Sequence, residues 1–202
     1  MDVHSFEQAK QYALQRLEQE LSPGLYYHNL EHTTGDVVPA AVRFATGEGI
    51  QGEDLTLLLT GAWFHDLGFI ETRLGHEAVG ARLASEVLPG FRYNPAQIQT
   101  VQGIIMATVV PQGPTTILEK ILADADLDVL GREDFWARNI ALRRELAFFG
   151  KEILDVEWFS SQLRFVESHT YFTATARAMR DAGQLESIAY LKRALTGIGS
   201  GR

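Results

Sequence analysis

Hydrophobic residues recur along most of the chain at intervals of three and four, which is the period of an amphipathic α-helix. No stretch alternates with the period of two that favours a β-strand. Pro and Gly end several of the helical patterns, as at Pro89-Gly90. The pattern predicts an all-α bundle with helices over residues 5–21, 37–44, 54–66, 75–88, 94–106, 117–122, 132–149, 156–182 and 185–195.

Two helix starts carry capping signals. Asn94-Pro95 is typical of a cap followed by a first-turn proline, and Thr115 or Thr116 is placed to cap the helix after it. No segment has the composition of a disordered linker, so we expect residues 1–202 to form one domain. The tail, 197–202, is expected to lie outside the helices.

Composition narrows the classes of protein. The 202 residues are 46% hydrophobic, enough for a core, and contain no cysteine, which excludes disulfides and thiolate ligands. Apolar runs fall short of the roughly 18 residues of a membrane span, and Met1-Asp2-Val3-His4 lacks a basic secretion segment. We therefore expect a cytoplasmic protein without a membrane partner. The net charge of −8 disfavours polymeric nucleic acid as a partner. A small anionic substrate requires local positive charge.

The adjacent pair His65-Asp66 ends a dense apolar run, Leu55 to Phe64. Burying an unpaired carboxylate costs several kcal/mol, of order 3–5 when its partner is missing. A divalent cation satisfies an imidazole and a carboxylate together. The pair is therefore a candidate metal site.

Further polar positions follow a specific order: His28 and His32, then His65-Asp66, then Asp124 within the segment Asp124 to Gly131. In this order the chain resembles the HD-domain superfamily of metal-dependent phosphohydrolases, over about residues 25–131. The resemblance implies an HD-type bundle, with 132–196 as a C-terminal helical extension whose role it leaves open.

The resemblance also implies metal ligands at His32, His65, Asp66 and Asp124. Asp126 is the alternative to Asp124, because spacing alone does not decide which aspartate points inward. The implied cofactor is one divalent cation, Mn, Fe, Co, Ni, Zn or Mg, with a weaker second ion left open. Such an ion activates water and polarises a phosphoryl oxygen, which gives Asp66 a catalytic role.

The segment Tyr27 to His32 is similar to one in cyclic-nucleotide phosphodiesterases, which implies that His28 is a general acid. The alternative is that His28 packs at a helix start, with Asn29 as its cap. His76 is expected to line the site, against an alternative as a surface cap. No further His follows near Met106, which favours a single ion.

Candidate phosphate-binding cations are Arg73, Lys120 and Arg132, each with a solvated surface charge as its alternative. Arg73 is assigned to the substrate site. Asp36 and Glu31 are candidates to orient the histidine ligands. His169 is expected to be a core residue, as are Trp63, Phe64, Trp136 and Trp158.

The sequence therefore predicts a metal-dependent phosphohydrolase that cleaves a phosphate mono- or diester, nucleotide or nucleotide-like. Two alternatives stay open, an HD-fold iron oxygenase and a catalytically silent nucleotide-binding module. Alarmone hydrolysis is disfavoured, because Leu67-Gly68-Phe69 follows the His-Asp pair instead of the acidic pair of those enzymes. The sequence does not fix the oligomeric state.

Overall fold

The computed structural model describes residues 3–199, with the side chains of residues 5–198. Within that range the chain is helical and has no β-strand, which confirms the predicted all-α class. No helix in this range is both long and apolar enough to cross a membrane. The helices are α1 (Val3–Glu20), α2 (Val38–Gly47), α3 (Gly52–Phe64), α4 (His76–Val87), α5 (Pro95–Met106), α6 (Ile117–Asp126), α7 (Phe135–Phe148), α8 (Asp155–Ser168) and α9 (Ala174–Gly199).

Helices α5 and α6 begin at the predicted caps. The Asn94 side chain accepts from the Gln97 N–H at 3.0 Å, and the Gln97 side chain accepts from the Asn94 N–H at 2.8 Å. Thr116 and Glu119 form the same reciprocal pair at the start of α6. These capping boxes satisfy N–H groups that a helix start leaves unpaired.

The predicted division of the last two helices is wrong. The helical structure is interrupted at residues 169–173, between α8 and α9, and Gly183 lies inside α9. A Cβ atom at Gly183 would lie 2.1 Å from the carbonyl oxygen of Gly131, so this glycine permits close packing rather than a turn. Helix α9 also continues to Gly199, past the predicted start of the tail. Residues 200–202 lie outside the described range.

Buried apolar side chains form two clusters. The first is built mainly from α1 to α6 and includes Phe44, Leu58 and Phe64. The second is built mainly from the chain after α6, together with Tyr27, and includes Phe135 and Trp158. The predicted core positions fit this division: Trp63, Phe64 and Trp158 are buried, and Trp136 packs partly buried against the second cluster.

Buried polar contacts join the two clusters. Asp128 accepts from Arg180 at 2.5 Å and from Arg43 at 3.1 Å, which links α9 to α2. Tyr171, between α8 and α9, is fully buried in the first cluster. These contacts favour the single domain that the sequence predicts.

His169, the first residue of the α8–α9 connection, sets a stability prediction. Burial lowers its pKa from 6.5 to about 4, against a weaker opposing effect of Asp126 and Asp181, and its Nε2 atom has no hydrogen-bond partner. Because the unfolded chain binds this proton more readily, the folded state loses stability as the pH falls from 6.5 towards 4.

We therefore expect His169→Gln to gain stability relative to the native chain on acidification. After a discount for partial solvent exposure, the gain should be roughly 1–2 kcal/mol between neutral pH and the folded pKa. Urea unfolding of both proteins at several pH values measures it. A stability difference that does not change with pH would contradict the buried, neutral state of His169.

Candidate metal centre and adjoining pocket

The His65-Asp66 pair lies where α3 ends. His65 keeps helical backbone angles as the C-cap, and Asp66 precedes a 3₁₀ segment, Leu67–Ile70. The Nδ1–H of His65 donates to the Ala62 carbonyl at 2.7 Å, so Nε2 carries the lone pair. Both side chains are buried, and His65 Nε2 and Asp66 Oδ2 lie 3.3 Å apart without forming a hydrogen bond. Two buried polar atoms are thus left without a hydrogen-bond partner within residues 3–199.

His32 brings a second imidazole to the same point. It begins a π-helical segment, His32–Val37, a rare geometry that is frequent at functional sites. Its Nε2 lies 3.7 Å from Asp66 Oδ2. One ligand atom from each of His32, His65 and Asp66 lies within 4.8 Å of the others. The structure therefore brings together three of the four predicted ligands in an arrangement that could hold a metal ion.

The fourth predicted ligand, Asp124, is directed elsewhere. Its carboxylate accepts from the Phe172 N–H at 2.8 Å, from the Thr173 N–H at 2.8 Å and from the Thr173 hydroxyl at 2.7 Å. These contacts fix the start of α9. Asp126 Oδ1 instead lies 3.3 Å from His32 Nε2 and 3.8 Å from His65 Nε2. Asp126, rather than Asp124, therefore has its carboxylate beside the two histidines, because positions two apart on a helix point to nearly opposite sides.

Asp36 supports His32 from behind. Its Oδ2 lies 3.7 Å from His32 Nδ1, and its carboxylate accepts hydrogen bonds from Arg132 and Arg138. Burial opposes its charge, but His32 and the two guanidinium groups hold the pKa of Asp36 below its usual range. Arg132 also donates to both carboxylate oxygens of Asp134, so it is a structural cation rather than a free phosphate ligand.

The cluster carries surplus negative charge. Burial opposes a proton on His32, yet the carboxylates of Asp126, Asp36 and Asp66 raise its pKa to about 10. Burial likewise opposes the charge of Asp66, but His65 and His76 lower its pKa well below the usual value. Imidazole nitrogens and carboxylate oxygens are suitable ligands for divalent transition metals. The donor set and the two unpartnered atoms therefore fit such an ion.

His76 is brought to the site by close packing of α4. Its Nε2 lies 3.3 Å from Asp66 Oδ1, and its ring stacks on Phe69 with centroids 3.8 Å apart. A Cβ atom at Gly68 would lie 1.9 Å from the His76 carbonyl oxygen, and one at Gly80 would lie 2.8 Å from the Phe64 carbonyl oxygen. Both glycines are needed for this approach of α4.

His28 lies at the edge of the cluster, before the helix begins. Asn29 caps that helix by accepting from the His32 N–H at 3.1 Å, as the alternative interpretation predicted. The His28 ring nevertheless faces the site, stacked on Phe69 with centroids 4.6 Å apart. Its Nδ1 lies 2.6 Å from Glu145 Oε1, which leaves Nε2 as the nitrogen free of that contact.

Glu145, on α7, is a residue that the sequence analysis missed. It is 1% exposed, and its Oε2 accepts from the N–H groups of Tyr27 and His28 at 2.9 and 3.0 Å. Burial alone would raise the pKa of Glu145, but the hydrogen bonds from His28 and Tyr27 lower it. The sequence indicates only that Glu145 shares a helix face with Leu142, three residues before it, and Phe149, four residues after it.

Two predicted phosphate-binding cations lie outside the pocket beside the cluster. The Arg73 guanidinium lies over the Phe149 ring, 4.0 Å from its centroid. Neither Arg73 nor Lys120 is among the residues that line the pocket.

The pocket itself has a volume of about 190 Å³ and opens beside the cluster. His28, Asp66, His76 and Asp126 line its polar end. The rest is mainly apolar and comes largely from residues after α6, including Phe135, Leu142 and Phe165. The C-terminal extension therefore forms much of the pocket wall.

The aspartates at 124 and 126 give a matched pair of predictions. We expect Asp124→Asn to destabilise the fold by about 1–3 kcal/mol, because an amide nitrogen cannot accept from the buried donors at 172 and 173. We expect Asp126→Asn to leave stability nearly unchanged and to weaken metal binding by at least about tenfold. Urea unfolding and calorimetric titration with Mn²⁺ distinguish the two effects. The reverse pattern would restore Asp124 as the ligand.

No protein-family model matches the sequence, and no curated protein matches it. Two solved structures match its fold. One is a predicted HD superfamily hydrolase from an uncultured Thermotogales bacterium, with a TM-score of 0.63, 21% identity, and coverage of 95% of this chain and 91% of that one. The other is a protein from Lactobacillus plantarum, with a TM-score of 0.68, 20% identity, and coverage of 97% and 99%. The chain therefore has the all-α HD-type fold that its sequence resemblance implies.

Proposed function

We propose that the protein is a metal-dependent hydrolase of phosphate esters. The observation that carries this proposal is the pair of buried atoms without a hydrogen bond among the described residues, His65 Nε2 and Asp66 Oδ2, beside an accessible pocket that Asp66 lines. A structural core would leave such atoms paired, since an unsatisfied buried polar group costs about 1–3 kcal/mol. The fold, shared with a protein described as a predicted HD superfamily hydrolase, supports the same reaction class.

His32, His65, Asp66 and Asp126 would hold the cation. Asp126 lies beside Nε2 of His32, whereas Asp36 lies beside Nδ1, on the other side of the same ring. When bound, a divalent ion there supplies Lewis-acid activation of water and of a phosphoryl oxygen. One cluster among the described residues meets the geometry for an ion, which favours a single-ion hydrolase over a two-iron oxygenase.

Hydrolysis of a phosphate ester forms a bond from a water oxygen to phosphorus and breaks the bond from phosphorus to the ester oxygen. The departing oxygen needs a proton. His28 is placed to provide it, because it lines the pocket and its Nδ1 is held by Glu145, so that Nε2 is the nitrogen available to a ligand. Glu145 is thus a positioning residue that fixes the ring.

His76 acts on Asp66. Its Nε2–H can donate to Asp66 Oδ1, which leaves Asp66 Oδ2 directed at the two other histidines. The stack on Phe69 fixes the His76 ring in that position. A fixed carboxylate costs less entropy when it takes up a ligand, as outer hydrogen bonds do at metal sites in general.

Replacement of Asp66 tests the metal centre. We expect Asp66→Ala to lose bound metal and phosphate-ester turnover together, because it removes a central donor of the cluster. Elemental analysis after dialysis, and assays of phosphomonoesters and diesters with added Mn, Mg, Co or Ni, measure the two losses. Glu152→Ala, which removes an exposed carboxylate on the connection between α7 and α8, outside the pocket lining, serves as the control. Full activity of Asp66→Ala would contradict the proposal.

Replacement of His28 tests proton donation. We expect His28→Gln to lower turnover of alkyl phosphates by about 10²–10⁴-fold, because a poor leaving oxygen depends on a proton. p-Nitrophenyl phosphate, whose leaving oxygen needs little protonation, should lose much less. Glu145→Gln should show the same dependence on the leaving group with a smaller loss.

Metal content is the control for both variants and should stay at the native level. An equal loss for alkyl and p-nitrophenyl esters would show that His28 has a structural role only.

A further inference from the structure

The pocket beside the metal cluster has two ends of different chemistry. Asp66, Asp126, His28 and His76 form one end. Seven aliphatic and phenylalanine side chains line the remainder: Val110, which precedes α6, and Leu127, Val129, Leu130, Phe135, Leu142 and Phe165, which follow it. Val129, Leu130 and Phe135 are buried members of the second cluster, so this wall is preformed.

The size of the pocket limits its occupant. Its volume is about 190 Å³, slightly more than the roughly 150 Å³ of an engineered apolar cavity that accepts benzene. There is room for one group the size of a six-membered ring beyond the phosphoryl position. A dinucleotide or a long acyl chain is too large to be enclosed.

The charges on the wall limit the number of phosphates. Arg138 is the one arginine or lysine among the lining residues that the structure describes. Its guanidinium is engaged by Asp36 and lies 3.8 Å from Asp134. The carboxyl group of Glu77 also lines the pocket and offers no positive charge to a phosphate. A second or third phosphate would therefore enter without a free cation to neutralise it.

A chain of three polar side chains ends at the apolar wall. The Trp158 Nε1–H can only donate, and it donates to Asn139 Oδ1 at 2.8 Å. Asn139 Nδ2 must then be the donor to Gln162 Oε1, at 2.6 Å. The indole fixes the direction of these hydrogen bonds, and Gln162 Nε2 is left as a donor without a hydrogen bond to any residue that the structure describes. Asn139 and Gln162 both line the pocket.

We propose that the substrate is a monophosphate ester of a small, uncharged, ring-sized alcohol or phenol that carries one hydrogen-bond acceptor opposite the phosphate. The phosphate lies at the metal cluster, the ring lies against the apolar wall, and the acceptor receives a hydrogen bond from Gln162. Nucleoside triphosphates and pyrophosphate are excluded by charge. This inference rests on the proposed phosphohydrolase function and narrows its substrate class.

Three phosphonates, which cannot be hydrolysed, test the pocket by binding alone. Calorimetry with the Mn²⁺-loaded protein compares methylphosphonate, benzylphosphonate and pyridin-4-ylmethylphosphonate. We expect benzylphosphonate to bind at least about tenfold more tightly than methylphosphonate, because the ring buries apolar surface. The pyridyl compound should bind at least as tightly as the benzyl compound, since its ring nitrogen accepts from Gln162.

Two variants locate the binding. Gln162→Leu should weaken the pyridyl compound by roughly tenfold and leave the benzyl compound unchanged, because a single hydrogen bond is worth about 0.5–1.5 kcal/mol. Leu142→Lys should weaken both ring compounds, whereas Leu185→Lys, at a site on α9 that is 67% exposed and outside the pocket, should weaken neither. Equal affinity of the native protein for methylphosphonate and benzylphosphonate would overturn the proposal even if no variant folds.

Measurements of hydrolysis distinguish the proposed substrate class from the proposed phosphohydrolase function. We expect kcat/KM for phenyl phosphate to exceed that for ATP by at least about tenfold, although the anhydride is chemically easier to cleave. Faster hydrolysis of ATP would refute the substrate class and leave the phosphohydrolase function intact. Absence of turnover with every ester and metal would refute the function, and the binding series would then decide the pocket by itself.

Discussion

Two imidazoles and one carboxylate, from His32, His65 and Asp66, lie buried within reach of one another, and much of the surrounding structure compensates for that placement. His65 Nε2 and Asp66 Oδ2 approach within 3.3 Å without a hydrogen bond, and Asp126 adds a second carboxylate beside His32. Removing such groups from water costs several kcal/mol each unless they are paired. A cation would neutralise the carboxylates and accept the lone pairs at once, so the cluster could hold a metal ion.

Residues around the cluster hold its side chains in fixed orientations. The Ala62 carbonyl fixes the tautomer of His65, and Asp36, held by Arg132 and Arg138, lies behind His32. Glu145 holds His28 in the same manner. Arg132, Arg138 and Glu145 lie on a different helix or connection from the groups that they orient. Ala62 and Asp36 lie on the same segment as their histidines. The site therefore depends on the packing of both apolar clusters.

Sequence predicted the parts of the site that are set locally. His65 and Asp66 are adjacent at a helix end, so their convergence follows from the apolar run before them. The choice between Asp124 and Asp126 is different. Asp124, Asp126 and Asp128 alternate along the chain, and successive members are rotated by about 200° on a helix. Asp124 holds the start of α9, Asp126 faces the histidines and Asp128 pairs with Arg180. Only the position of α9 separates these roles.

Long-range contacts account for the remaining differences between the predictions from sequence and the structure. Glu145 contacts His28 across 117 positions, a relation that helical periodicity does not report. Gly183 has the signature of a helix break, but it is a contact between α9 and Gly131, and the actual break at 169–173 has neither proline nor glycine. The C-terminal extension, for which the sequence offered no role, supplies Glu145 and three apolar side chains of the pocket wall, Phe135, Leu142 and Phe165.

Anomalous X-ray diffraction from crystals grown with Mn²⁺ tests the proposed metal site most directly. We expect one strong anomalous peak per chain within coordination distance of His32, His65, Asp66 and Asp126, with Asp124 still hydrogen-bonded to residues 172 and 173. A peak coordinated by Asp124, or four ordered side chains at saturating Mn²⁺ with no peak between them, would contradict it.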